Sequence, residues 1–132
     1  MSRTKILVLV GPGAKDLKSV HYALALAERL EAQVLILRLD GSTGGNNPQG
    51  RWLEEVLADL SNSARQAGLS VFYPVAGVLT APEIVNLVRE EGVEIVVFDS
   101  EEKTLERSLR RIQNLISSRI VQVKEKDQAH YW

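Results

Sequence analysis

The chain predicts an α/β fold: a doubly wound, five-stranded parallel sheet in the order 3-2-1-4-5 with helices on both faces. Three observations carry this. Runs of branched aliphatic residues alternate with helical stripes five times along the 132 residues, and such alternation implies right-handed crossovers and parallel strands. The first run, Lys5 to Val10, is continuously apolar, as expected of a strand covered on both faces. The third run contains Pro74. A proline cannot donate to a sheet ladder and is tolerated at an edge, so this run is placed outermost and the flavodoxin-like order, with the third strand central, is disfavoured.

Each element follows from local pattern. After the first strand, Asp16 is positioned to cap a helix whose Leu17, Val20, Leu24 and Ala27 share one face as far as about Glu31. Val34 to Leu39 is the second strand. Asp40 to Gly50, rich in Gly, Asn and Ser, has no periodicity and reads as a mobile surface loop. The second helix aligns Leu53, Val56, Leu57, Leu60, Ala64 and Ala67 and stops at Gly68, a left-handed cap. Leu69 to Val75 is the third strand. Thr80-Ala81-Pro82-Glu83 is a capping box with proline in the first turn, opening a short helix that ends at Gly92. Val93 to Phe98 is the fourth strand, and Leu105, Leu109, Ile112 and Ile116 stripe the last helix. Ile120 to Lys124 is the fifth strand and the second edge, followed by a polar tail ending His130-Tyr131-Trp132.

Composition excludes several function classes. With 45% hydrophobic and 25% charged residues, the chain suits one domain that buries its core without staples. The absence of cysteine removes disulfides and thiolate chemistry. A formal net charge of -1 offers no general attraction to nucleic acid or anionic lipid. No apolar run approaches the ~20 residues that cross a bilayer, so a soluble cytoplasmic protein is expected.

In this strand order the topological switch point lies between the first and fourth strands. Any ligand should therefore meet the loops Gly11 to Asp16 and Asp99 to Lys103. Gly11-Pro12-Gly13 lacks the third glycine of a dinucleotide fingerprint, and its proline removes one amide donor. It is no P-loop, because Gly-Lys-Ser/Thr is absent. Across the crevice, Ser100 is expected to cap the last helix with Glu101 and Glu102 in its first turn, so an incoming phosphate would meet repulsion instead of free amides. A phospho-receiver fails for want of acids after the first strand and an acceptor Asp after the third. His21 reads as a helix-surface residue, and neither it nor His130 has metal-site spacing. The Arg107, Arg110 and Arg111 series alternates with glutamates and reads as a solvated face. Trp52 admits two readings, a lid over a ligand or packing of the helix start. No nucleophile and base can be paired, so no enzyme, metal or cofactor is expected.

Ile6-Leu7-Val8-Leu9-Val10 with Asp16-Leu17-Lys18-Ser19-Val20-His21-Tyr22-Ala23-Leu24-Ala25-Leu26-Ala27 resembles the opening strand and helix of universal stress protein domains. Pro82-Glu83-Ile84-Val85 followed by Glu91-Gly92-Val93-Glu94-Ile95-Val96-Val97 is similar to their fourth-strand region. The resemblance implies a Rossmann-like sheet of order 3-2-1-4-5 and, commonly, a homodimer joined near the fifth strand. It also marks departures. Members that bind ATP carry an Asp directly after the first strand, where this chain has Gly11, and a glycine-rich phosphate motif after the fourth. Here Asp99 takes the first glycine position and no glycine occurs between Gly92 and Trp132. The chain thus resembles the branch that does not bind ATP.

The resulting expectation is a non-catalytic regulatory or interaction module. It would be homodimeric through Ile120, Val121 and Val123 of the fifth strand, whose apolar row borders unpaired backbone groups, and open to a protein partner. The alternative is a small-molecule or nucleotide binder using Gly11, Gly13, Asp40, Asp99 and Ser100 in a non-standard way.

Overall fold

The computed structural model describes residues 4–12, 14, 16–39, 48–76, 79–125 and 128–132. Among these, β1 (Lys5–Val10), α1 (Lys18–Leu30), β2 (Gln33–Leu39) and α2 (Pro48–Gln66) are followed by the short strands β3 (Ser70–Phe72) and β4 (Val75–Ala76). Then come α3 (Ala81–Glu91), β5 (Ile95–Asp99), α4 (Lys103–Ile112), β6 (Arg119–Glu125) and β7 (Gln128–Tyr131).

The sheet runs β3-β2-β1-β5-β6-β7, with β4 also pairing β2. Its parallel portion is the 3-2-1-4-5 order that Pro74 implied. Pro74 also splits the third strand. Lacking an amide hydrogen it interrupts the ladder, while its carbonyl accepts from the Arg38 amide at 3.1 Å, so β3 and β4 flank it along the one partner they share.

Period-two alternation sorts the strands onto two cores. Ile6, Val8, Val34, Ile36, Val97 and Val121 meet Val20, Ala23 and Ala27 of α1 and Leu53 and Leu57 of α2. On the other face Leu7, Leu9, Leu37, Val96 and Phe98 meet Ile84 and Val88 of α3 and Leu105 and Leu109 of α4. Each fully buried aliphatic side chain contributes about 1.5–3 kcal/mol, so both faces are firmly specified.

Helix ends follow the predicted chemistry at three of five sites. Thr80 and Glu83 close a reciprocal capping box, and Gly92 ends α3 in the left-handed region at φ +66°. Gly68 ends α2 at φ +96°. Asp16 does not occupy the cap position of α1, which is Leu17, but its Oδ1 accepts from the Lys18 amide at 3.3 Å. Ser100 does not cap α4. The helix begins later, with Glu102 at its cap position and no side-chain capping bond, and the Ser100 amide donates to the Val123 carbonyl at 3.0 Å.

The largest departure is at the last edge. Residues read as a polar tail form β7, antiparallel to β6, with Val121 opposite Tyr131 and Val123 opposite Ala129. The β6 edge is therefore paired within the chain and is not an exposed dimer edge. Ile120, Val121 and Val123 are 2%, 0% and 0% exposed: they are core residues, and the exposed edge on which the expected strand-five interface rested is covered by β7. Trp132 secures the strap. Its amide donates to the Ile120 carbonyl, its ring meets Phe98 edge-on at 5.6 Å, and the Arg110 guanidinium stacks on it at 4.3 Å. The stretch expected to be a loop is helical from Pro48, and its remainder, residues 40–47, lies outside the described residues. Among the described residues no helix is long and apolar enough to cross a membrane.

Candidate functional site

β1 and β5 lie side by side with Leu9 opposite Phe98, so their carboxyl ends bring Gly11 and Asp99 to one crevice. Gly13 and Asp40 lie outside the described residues. Ser100 is present at the rim but serves the sheet, through its bond to Val123.

Gly11 is buried, and a Cβ built on it would lie 2.6 Å from Cδ and 2.8 Å from Oε1 of Glu102. The Glu102 carboxylate thus rests against the glycine backbone, at the place where the absence of a side chain would let a phosphate approach. The turn that delivers it is short: the Glu102 amide donates to the Asp99 carbonyl at 3.0 Å.

Asp99 ends β5 and is 7% exposed. Its Oδ1 accepts from the Glu101 amide at 2.9 Å and lies 3.6 Å from Lys18 Nζ, which also reaches Glu101 at 3.6 Å. Burial pushes the Asp99 carboxyl above its ordinary pKa; the Glu101 amide and Lys18 work against the rise, and the charges of Asp16 and Glu101 add to it. Glu102 is likewise raised, first by burial and then by repulsion from Asp99 and Glu101. Burial works against the charge of Lys18, but Asp99, Asp16 and Glu101 together override it and hold its pKa above the ordinary lysine value. The crevice is therefore acidic: Asp16, Asp99 and Glu101 act on the Lys18 ammonium, and Glu102 stands beside Asp99 and Glu101. A pair this dry gains little net stability, since desolvation offsets most of its attraction, but it fixes the carboxylates in place.

With one described cation among four acids, the crevice presents excess negative charge to an incoming anion. Among the described residues no group of three His, Cys, Asp or Glu is arranged to hold a metal ion. His21 and His130 are exposed, and Trp52 is 41% exposed.

Sequence reasoning found Asp99 and the acids beside it but missed Lys18 as their partner and Glu102 as the group seated on Gly11. The signal for Lys18 was present. The first turn of the helix after β1 points at the switch point in a doubly wound sheet, and Lys18 occupies that turn. No local signal marks the Glu102 contact.

No family model matches the chain, and no curated protein matches its sequence. Solved structures do share its fold. The chain is similar to the universal stress protein from Archaeoglobus fulgidus in complex with dAMP, at 17% identity, covering 94% of this chain and 100% of that one, with a TM-score of 0.61. A universal stress protein in complex with cAMP aligns at 14% identity over 95% and 99% of the two chains, TM-score 0.63. A member of that family from Burkholderia pseudomallei aligns at 20% identity over 91% and 95%, TM-score 0.58. The chain has the fold of the universal stress proteins.

Proposed function

We propose that this chain is a non-catalytic, universal-stress-protein-like regulatory or interaction module whose switch-point crevice does not take the phosphates of ATP. One observation carries the reading: the Glu102 carboxylate lies against Gly11, in an acidic crevice whose single described cation, Lys18, is committed to Asp99 and Glu101. Phosphate binding at a helix start needs free amides and positive potential. Here the Glu101 amide is held by Asp99 and the Glu102 amide by the Asp99 carbonyl. The same pairing supports a non-catalytic role, since among the described residues Lys18 is held by Asp99 and Glu101 and is not left free beside a substrate. Partners would be proteins, a second copy included, met through surfaces other than the β6 edge that β7 covers.

A second reading, a nucleotide or small-molecule binder of non-standard geometry at Gly11, Gly13, Asp40, Asp99 and Ser100, is favoured by the dAMP and cAMP complexes of the two structural neighbours. Calorimetric titration separates the two. The module reading expects no saturable heat with Mg-ATP, dAMP or cAMP; low-micromolar ATP affinity overturns it, and saturable dAMP or cAMP binding that Asp99→Asn abolishes establishes the second reading in its place.

A further inference from the structure

Away from the acidic crevice, on the α1/α2 face, β2 carries a charged residue where its neighbours are core. Arg38 follows Val34 and Ile36 along the same face and is only 9% exposed. It stands between Val10 of β1 and Val75 of β4 in register. Its Nε has no hydrogen-bond partner, and it enters no ion pair among the described residues. A guanidinium cannot discharge itself by losing a proton, so its burial carries a desolvation penalty that only a counter-charge offsets.

A second buried donor stands beside it. The Tyr73 hydroxyl is also without a hydrogen-bond partner. Burial raises its pKa, the adjacent Arg38 acts in the opposite direction by its charge and by its hydrogen-bonding proximity, and the charge of Glu54 adds to the rise; the two groups are side by side, yet neither the Arg38 Nε nor the hydroxyl has a hydrogen-bond partner of good geometry. Arg38 presents planar N–H donors and Tyr73 an O–H donor, a set that matches the oxygens of an oxyanion. The position is the carboxyl end of a strand in a doubly wound sheet, where ligands bind. The position lies near the surface: Val75, opposite Arg38 in register, is 46% exposed.

We infer that Arg38 and Tyr73 form a buried oxyanion subsite at the carboxyl end of β2, which receives a carboxylate or phosphoryl group of a small ligand. This goes beyond the module reading and is independent of it, since the subsite uses neither Glu102 nor Asp99. The subsite is a binding feature and involves no covalent step.

The test follows thermal unfolding of the full chain at constant ionic strength in chloride buffer, with inorganic phosphate in one arm and acetate in the other. The wild type should show a saturable rise in Tm in at least one arm. A response confined to phosphate assigns a phosphoryl group, one confined to acetate a carboxylate. Arg38→Met, which keeps the aliphatic stem, should lose the response and be at least as stable as wild type in anion-free buffer, because a buried charge that enters no ion pair among the described residues has been removed. Tyr73→Phe, a milder change that keeps the ring, should weaken the apparent affinity about five- to tenfold, the worth of one neutral hydrogen bond. A wild type unresponsive in both arms, an unaltered response in either variant, or a marked loss of anion-free stability in Arg38→Met overturns the inference.

Discussion

A methyl group added at Gly11 probes the crevice at its tightest contact. The new Cβ would stand 2.6 Å from Cδ of Glu102, against about 3.5–4.0 Å for an ordinary carbon contact, so the carboxylate must withdraw by about 1 Å. What moves is the far end of a flexible side chain and not backbone. Gly11 does not belong to the positive-φ glycines, Gly68 and Gly92, so alanine brings no left-handed strain. Two terms then favour Gly11→Ala. The unfolded chain loses freedom worth about 0.4–1 kcal/mol, and Glu102 leaves the burial and the repulsion by Asp99 that raise its pKa. The expected result in urea unfolding is a variant equal to wild type or up to about 1 kcal/mol more stable. Because both substitutions act through one contact, Gly11→Ala and Glu102→Ala should be non-additive in a double-mutant cycle. Additive effects would show that Glu102 does not rest on Gly11, and a Gly11→Ala variant destabilised by more than about 1 kcal/mol would show that the carboxylate cannot withdraw.

Two further predictions extend to titration and assembly. Asp99 and Glu102 have folded pKa values raised above the ordinary carboxylate range, so the folded chain holds these protons more tightly than the unfolded one. The linked stability is present at low pH and lost as pH rises through the folded values; Glu102→Gln should therefore flatten the stability profile just above the carboxylate range and gain stability at neutral pH, and an unchanged profile counts against the assignment. At the sheet edge, deleting residues 128–132 removes β7 and the Trp132 contacts with Phe98 and Arg110, leaving the β6 ladder unpaired. Light scattering at tens of micromolar should then report association that the intact chain does not show to the same degree, whereas a truncated chain that stays folded and monomeric would mean that β6 needs no cover.

Legibility in the sequence followed the range of the interactions. The alternation of elements, the two faces of the sheet, the edge position of Pro74, the Thr80/Glu83 capping box and the Gly68 and Gly92 stops were all readable, because each depends on residues a few positions apart. Period two and period 3.6 are local properties of a chain that must bury one side of each element. The loss of the glycine motif after Val97 and Phe98 was readable for the same reason.

Tertiary structure alone decided the rest. Gln128 to Tyr131 carries no strong strand pattern, and it becomes β7 because β6 offers unpaired backbone groups and because Trp132 finds Phe98 and Arg110. That pairing converted Ile120, Val121 and Val123 from an expected interface into core. Ser100 has no capping role because α4 starts at Lys103, and its amide instead joins Val123 of the neighbouring strand. Glu102 on Gly11, Lys18 between Asp99 and Glu101, and Arg38 beside Tyr73 all join residues from separate elements. Their chemistry is set by burial and by which groups the folded chain brings together, and neither quantity exists for a side chain until the sheet has formed around it.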